Sequence, residues 1–346
     1  MKKIVFIIII MFTINVFATN TSTIVMDVDT GRILYENNAY EKKLIASTTK
    51  IMTFVVAYEY ASDFLDVYIE AGDEILKMYG TSIYISLHEK MLLRDLLYGL
   101  MLRSGNDAAM VIANFVGGSE EGFVKLMNQK AKAIGMNNTV FSNPHGLDEV
   151  TKNYSTAYDM ALLSRYALKI PFYQKVTSTK YYNVSTNEKA YSWINRNKML
   201  FTYPNLVSGK TGYTPSAGRC LVTSAKMNNL HLTIVTINDA NHYETERVLY
   251  DEMFHKYQKT NILSKESFSL QYPGLYIKNN LFYPLKNNEK KDINIKLIMN
   301  DNNNEIKVFL KNKEILKERV YQEKKESNIN KKNLFVKLKN FFKKIF

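Results

Sequence analysis

Ser47-Thr48-Thr49-Lys50 sets a hydroxyl and an amine three residues apart, and the apolar run Ile51, Met52, Phe54 and Val55 follows at once. On a helix, positions i and i+3 share a face. The lysine amine would therefore be directed into a dry environment, where desolvation lowers its pKa and the neutral amine can accept the serine proton. That is nucleophilic acyl-transfer chemistry with lysine in place of histidine. The spacing alone recurs by chance, and an ordinary N-cap also accounts for Ser47.

Two further segments carry matching chemistry. Ser104-Gly105-Asn106 falls in a break between two helical patterns, Leu92 to Leu102 and Asp107 to Phe115. It reads either as an N-cap with a glycine turn or as a proton-relaying hydroxyl beside an amide that orients a lysine and a substrate backbone. Lys210-Thr211-Gly212, followed by Tyr213, sits at an expected strand edge. There a cation and a hydroxyl can bind a carboxylate, and Gly212 lets a substrate backbone approach closely. If Lys50 and Lys210 are close, each lowers the other's pKa, which predicts activity rising with pH.

The elements that must position these residues are legible in outline. Thr23 to Val28 and Arg32 to Tyr35 flank an Asp29-Thr30-Gly31 turn, a hairpin pattern. Helical patterns follow at Lys50 to Glu59, through Leu92 to Gly135 with Ser119 as a cap, and at Tyr154 to Leu168. From Val207 the pattern turns to strands, and Leu230 to Ile237 is β-branched and expected to be buried. Strands at both ends with helices between them predict an α+β fold, an antiparallel sheet covered by helices with a helical subdomain inserted. After a helix near Asp251 to Lys259, alternating apolar residues such as Ile293/Ile295/Leu297 and Ile306/Val308/Leu310 predict a small all-β domain. The expected divisions are 1–18, 19–262, 263–322 and 323–346. The single cysteine, Cys220, lies in a strand pattern and is expected to be a buried, inert thiol.

In order and context the three segments resemble the low-molecular-mass penicillin-binding proteins, the serine D-alanyl-D-alanine carboxypeptidases. The resemblance extends to Gly80-Thr81-Ser82, Ser142-Asn143-Pro144-His145-Gly146-Leu147, Asn195-Arg196-Asn197 and Gly209 to Thr214 with Ala217-Gly218. It implies a penicillin-binding/β-lactamase-like catalytic domain. It further implies Ser47 as acylated nucleophile, Lys50 as general base, and Ser104 and Asn106 as the second element. Lys210 and Thr211 would hold the substrate's terminal carboxylate, and the backbone N–H groups of Ser47 and Tyr213 would form the oxyanion hole. Some relatives carry histidine where Tyr213 stands. Arg196 and Arg247 resemble arginines near the family's site, Arg247 on a loosely matching stretch. The implied substrate is a peptidoglycan pentapeptide stem ending in D-Ala-D-Ala, with β-lactams as covalent mimics and neither metal nor cofactor required.

Other readings fit the residues less well. A class A β-lactamase needs a water-activating glutamate, usually in a Glu-x-x-Leu-Asn stretch, and none lies between Ser104 and Lys210. A murein endopeptidase of the same superfamily would attack a cross-link instead. A silent wall-binding protein would be expected to have lost Ser47, Lys50 or Lys210. The five histidines show neither H-E-x-x-H nor another compact ligand spacing, and His145 reads as a structural loop residue.

The ends of the chain point to export and a membrane surface. Lys2 and Lys3 precede an apolar run from Ile4 to Phe17 and Val16-Phe17-Ala18, the pattern of a signal peptide cleaved after Ala18. Of the net charge of +13, two charges belong to this leader and six to the last sixteen residues, leaving +5. Leu334, Phe335, Leu338, Phe341, Phe342, Ile345 and Phe346 fall on one helical face with lysines on the other, the pattern of an interfacial amphipathic helix on anionic lipid. The absence of zinc-finger or aromatic-basic RNA signatures argues against a nucleic-acid partner.

Overall fold

Ser22–Asp27 buries all six of its residues because the sheet continues on both sides of it. In the computed structural model, which describes residues 20–300 and 304–322, this strand lies between Ile33–Asn37 and Leu230–Ile237. The antiparallel sheet continues through Gly218–Met227 to Leu206–Thr214 at its edge. The first hairpin turns where expected, with the Asp27 carboxylate accepting the Thr30 backbone N–H at 2.8 Å. Leu230–Ile237 is buried throughout.

Strand alternation sends side chains to two covered faces. Thr223 and Thr236 face the helix His242–Lys256, where their hydroxyls donate to the buried Glu246 and Tyr250 meets Thr223 at 2.8 Å. Burial holds the Glu246 carboxyl well above the usual carboxylate range. On the other face Thr233 meets Ser164 of the helix Ala157–Ala167 at 2.7 Å. Lys210 pairs across the sheet with Val222, on the same face as Thr233. Cys220 is buried in its strand, and burial pushes its thiol up to about 12.

The helix Lys50–Ala61 is apolar on nearly every side: Ile51, Met52, Phe54, Val55, Val56 and Ala57 are all fully buried. A helix of that composition belongs in the middle of a domain, not on its surface. Around it stand the inserted helices Leu93–Tyr98, Asn106–Gly117 and Glu120–Ala133. Ser119 caps the last of these, its hydroxyl accepting the Gly122 N–H at 3.0 Å. The helix expected from Leu92 to Leu102 instead changes to a π-turn at Gly99–Arg103 and ends on Ser104, whose φ of 63° is left-handed. Such turns concentrate at functional sites.

The chain splits into two units, Met1–Phe254 and His255–Phe346. The division falls ahead of the expected 262/263 boundary because Gln258–Leu263 pairs with Leu281–Leu285 of the second unit. The last helix of the first unit begins at His242, earlier than its expected start near Asp251. The second unit is mostly strands, with Ile293–Ile298, Glu305–Leu310 and Lys313–Arg319 forming one antiparallel sheet. It also contains a helix, Lys265–Gln271, whose Phe268 packs in a core with Ile277, Leu281, Ile306 and Val308. The leader and the amphipathic tail read from the sequence lie outside the described residues. Among the described residues no helix is long and apolar enough to cross a membrane.

Candidate active site

Ser47 lies in a 3-10 turn, Ala46–Thr49, that runs directly into the central helix beginning at Lys50. This turn brings the serine hydroxyl 3.0 Å from Lys50 Nζ. The amine has two other partners, Asn106 Oδ1 at 2.7 Å and the carbonyl oxygen of His145. Both of those oxygens can only accept. A neutral amine therefore spends its two N–H bonds on them, and its lone pair is left for the Ser47 hydroxyl proton. Burial, reinforced by the charges of Lys210 and Arg196, holds Lys50 well below the usual lysine range, which favours that neutral form.

The loop from Ser142 to Asn153 builds the other wall. Asn143 Oδ1 accepts the backbone N–H groups of His145 at 3.2 Å and Gly146 at 2.6 Å, and its amide nitrogen donates to the Leu147 carbonyl at 2.9 Å. Asn153 ties this loop to the serine turn by donating to Thr49 Oγ1 at 3.0 Å. Gly146 has φ +90°, and a Cβ there would lie 2.1 Å from the Ala46 carbonyl oxygen. The loop thus presses on the residue before Ser47. His145 contributes its carbonyl, and its buried ring is held down to about 3, by burial first and the Lys50 charge second.

Across the cleft, Lys210 Nζ lies 3.0 Å from Ser104 Oγ and 2.6 Å from the Thr211 carbonyl oxygen. Burial, then the Arg196 charge, brings Lys210 down to about 7. A Cβ on Gly212 would approach the backbone nitrogens of Ser47 and Thr48 to 3.1 Å, so this strand runs against the serine turn. Ser47, Ser104, Thr211, Gly212 and Tyr213 line one cleft of about 320 Å³. Arg196 lines it too, its guanidinium 3.1 Å from Thr81 Oγ1.

Arg247 is not among the residues that line this cleft; it is half exposed on its helix and pairs with Glu244 at 2.6 Å and Asp251 at 3.5 Å. The cleft instead contains Lys198, Arg219, His242 and Tyr243, none of which stood out in the sequence. Arg219 could have been found from strand register, since it pairs opposite Tyr213 and its guanidinium lies 5.5 Å from that ring. His242 and Tyr243 carry no motif and are brought in only by the start of the helix that follows the sheet.

A sheet and helix core that sets a serine on a buried lysine of depressed pKa, and a second serine on a strand-borne lysine, with both serines lining one cleft, defines the serine acyl-transfer class with a lysine base. Residues 15–241 match the D-alanyl-D-alanine carboxypeptidase family, peptidase S11, and the chain belongs to it. It is 38% identical over 218 residues to D-alanyl-D-alanine carboxypeptidase DacF of Bacillus subtilis, covering 62% of this chain and 56% of that one. It is 30% identical over 221 residues to the D-alanyl-D-alanine endopeptidase of Escherichia coli, covering 63% of this chain and 70% of that one. Among solved structures, D-alanyl-D-alanine carboxypeptidase DacD of Francisella tularensis superposes with a TM-score of 0.70 at 26% identity, over 88% of this chain and 92% of that one. The chain thus spans little more than half the length of DacF.

Proposed function

We propose that the protein is a serine D-alanyl-D-alanine carboxypeptidase that removes the terminal D-alanine from peptidoglycan pentapeptide stems. The observation that carries this reading is the three-partner geometry of Lys50, which leaves its lone pair for Ser47. In the first step Lys50 takes the Ser47 proton while Oγ bonds to the carbonyl carbon between the two D-alanines. The backbone N–H groups of Ser47 and Tyr213 stabilise the oxyanion. The carbon–nitrogen bond then breaks as Ser104, beside Lys210, gives its hydroxyl proton to the departing amine and takes in its place the proton that Lys50 removed from Ser47, which leaves Lys50 neutral again. Water next attacks the acyl-enzyme and gives a proton to the neutral Lys50; that proton passes to Ser47 Oγ as the ester bond breaks, releasing the shortened stem with the serine hydroxyl restored.

Lys210, Thr211 and Arg196 supply the positive and hydroxyl groups suited to the terminal carboxylate, and β-lactams would acylate Ser47 in the same pose. The E. coli relative named as an endopeptidase keeps cross-link cleavage as the competing outcome. The test is D-alanine release from a peptide ending in D-Ala-D-Ala by the full chain and by Ser47→Ala. Release by the parent alone supports the reading. Silence from a folded parent that still cleaves cross-linked dimers would move it to an endopeptidase.

The reading includes export to the outer face of the cytoplasmic membrane. A leader at 1–18 and an amphipathic anchor at 331–346 support it, on composition and spacing alone. Removing residues 331–346 is expected to release the protein from vesicles containing anionic lipid, and unchanged binding would remove the anchor from the proposal.

A further inference from the structure

A second cavity, of about 200 Å³, adjoins the catalytic pair; Thr81 faces the cleft and Tyr79, two residues earlier, faces this cavity. Its apolar lining is Met78, Leu147 and the largely exposed Val150, and its polar lining is Lys77, Tyr79, Glu120, His145 and Thr151. The connection to the reaction is short. Ser47 Oγ lies 3.5 Å from the His145 carbonyl oxygen, and Asn106 Nδ2 donates to the Tyr79 carbonyl at 2.7 Å. A Cβ on Gly80 would touch both Asn106 at 3.4 Å and the Leu147 methyl at 3.6 Å.

The polar groups are not explained by one another. His145 Nδ1 accepts the Leu147 backbone N–H at 3.1 Å, so the ring proton sits on Nε2. That Nε2–H is 3.8 Å from Glu120 Oε1, beyond hydrogen-bond reach, although the ring is only 7% exposed. Among the described residues the ion-pair contact of Glu120 is with His145, and burial keeps that imidazole uncharged. The first turn of a Ser119-capped helix explains why an acid is tolerated at position 120. It does not explain why a partly enclosed cavity with apolar side chains and an exposed lysine lies beside that acid.

We propose that this cavity is a subsite for the side chain of the diamino residue preceding the two D-alanines of the stem. The chemistry matches in three parts. The apolar walls take an aliphatic arm. Glu120 takes the ammonium at its end. Lys77 and the His145 Nε2–H take a carboxylate where the same terminal carbon carries one, as in diaminopimelate. The volume equals that of roughly six waters in the liquid, enough for such an arm and its head group. The cavity lies beside the cleft, since Tyr79 lines the one and Thr81 the other.

This inference rests on the carboxypeptidase reading and deepens it. Three pentapeptides that differ only at the third residue separate the two: meso-diaminopimelate, lysine and Nε-acetyl-lysine. The parent is expected to show kcat/KM at least tenfold higher for diaminopimelate than for acetyl-lysine, with lysine between. Glu120→Gln should close the gap between lysine and acetyl-lysine while leaving the acetyl-lysine rate within twofold of the parent. The exposed Lys77→Met should close the gap between diaminopimelate and lysine. Equal kcat/KM for all three peptides, with D-alanine released, overturns the subsite and leaves the carboxypeptidase standing. A Glu120→Gln variant that slows all three equally assigns Glu120 a structural role and also overturns it. No release from any peptide overturns the reading beneath it.

Discussion

Asn106 holds Lys50 in one orientation only: its Oδ1 is 2.7 Å from Lys50 Nζ while its Nδ2 donates to the Tyr79 carbonyl at 2.7 Å. Turning the amide over would set its oxygen against a carbonyl and its NH₂ against the lysine N–H groups. Tyr79 thus fixes the acceptor that consumes one Lys50 proton, and His145 fixes the other. The lone pair is aimed at Ser47 by elimination.

Asn106→Asp is the sharpest test of that arrangement. A carboxylate at this position keeps the shape but favours the charged lysine, so Lys50 loses its capacity to accept a proton near neutral pH. We expect kcat/KM to fall by about 10²-fold or more, the scale of general-base catalysis, and the thermal midpoint to change little. Acylation by a fluorescent penicillin reads the same step directly. A variant that acylates at the parent rate would show that Lys50 is not the base.

The pH profile should be a bell, not the steady rise expected from the sequence. Lys50 must be neutral, so kcat/KM climbs as pH rises through its depressed pKa. Lys210 must be charged to hold a carboxylate, and its pKa of about 7 means the free enzyme loses that charge as pH rises through neutrality. The alkaline limb of kcat/KM should therefore fall near pH 7, whereas kcat should persist to higher pH because bound carboxylate restores the Lys210 charge. Steady-state rates from about pH 5 to 10 decide this; kcat/KM still climbing at the top of that range would mean that Lys210 is charged throughout.

Gly146→Ala should damage a residue it does not precede in sequence. The position has φ +90°, and the new methyl would lie 2.1 Å from the Ala46 carbonyl and 2.9 Å from the Ser47 nitrogen. Backbone has to move, at a cost of about 1–3 kcal/mol for the strained dihedral alone. The expected result is a lower thermal midpoint together with slowed penicillin acylation. Loss of stability with an unchanged acylation rate would show that the serine turn does not depend on this loop.

The first hairpin, the buried central helix and the inserted helical subdomain were legible because each has a local cause: a turn residue, a periodicity or a cap. The three motif segments were legible because their residues are close in sequence. Tertiary assembly decided the rest. Nothing around Gly99 signals that the helix changes to a π-turn and delivers Ser104 in a left-handed conformation. The His145 carbonyl is a backbone group and invisible to residue type, so the histidine attracted a structural reading although its main chain touches Lys50. The expected 262/263 boundary cuts through Gln258–Leu263, because a strand's partner is not written in the strand.

Arg247 and Arg219 show the same lesson at the cleft and yield the last prediction. Arg247 sits on a helix surface between Glu244 and Asp251, an exposed cluster of the kind worth less than about 1 kcal/mol. Arg247→Ala should therefore leave kcat and KM within twofold of the parent. Arg219 and His242 line the cleft, and burial followed by the Arg219 charge lowers the His242 pKa. Arg219, Arg196 and Lys198 are the arginine and lysine side chains that line the cleft. Losing one charged hydrogen bond to a substrate carboxylate costs about 1.5–3 kcal/mol, so Arg219→Ala should raise KM about tenfold or more with a smaller change in kcat. His242→Ala should act mainly by relieving the guanidinium of its neighbour and should shift KM by less. The reverse ranking, with Arg247→Ala crippled and Arg219→Ala intact, would mean that the substrate enters over the helix surface and not through the strand-edge cleft.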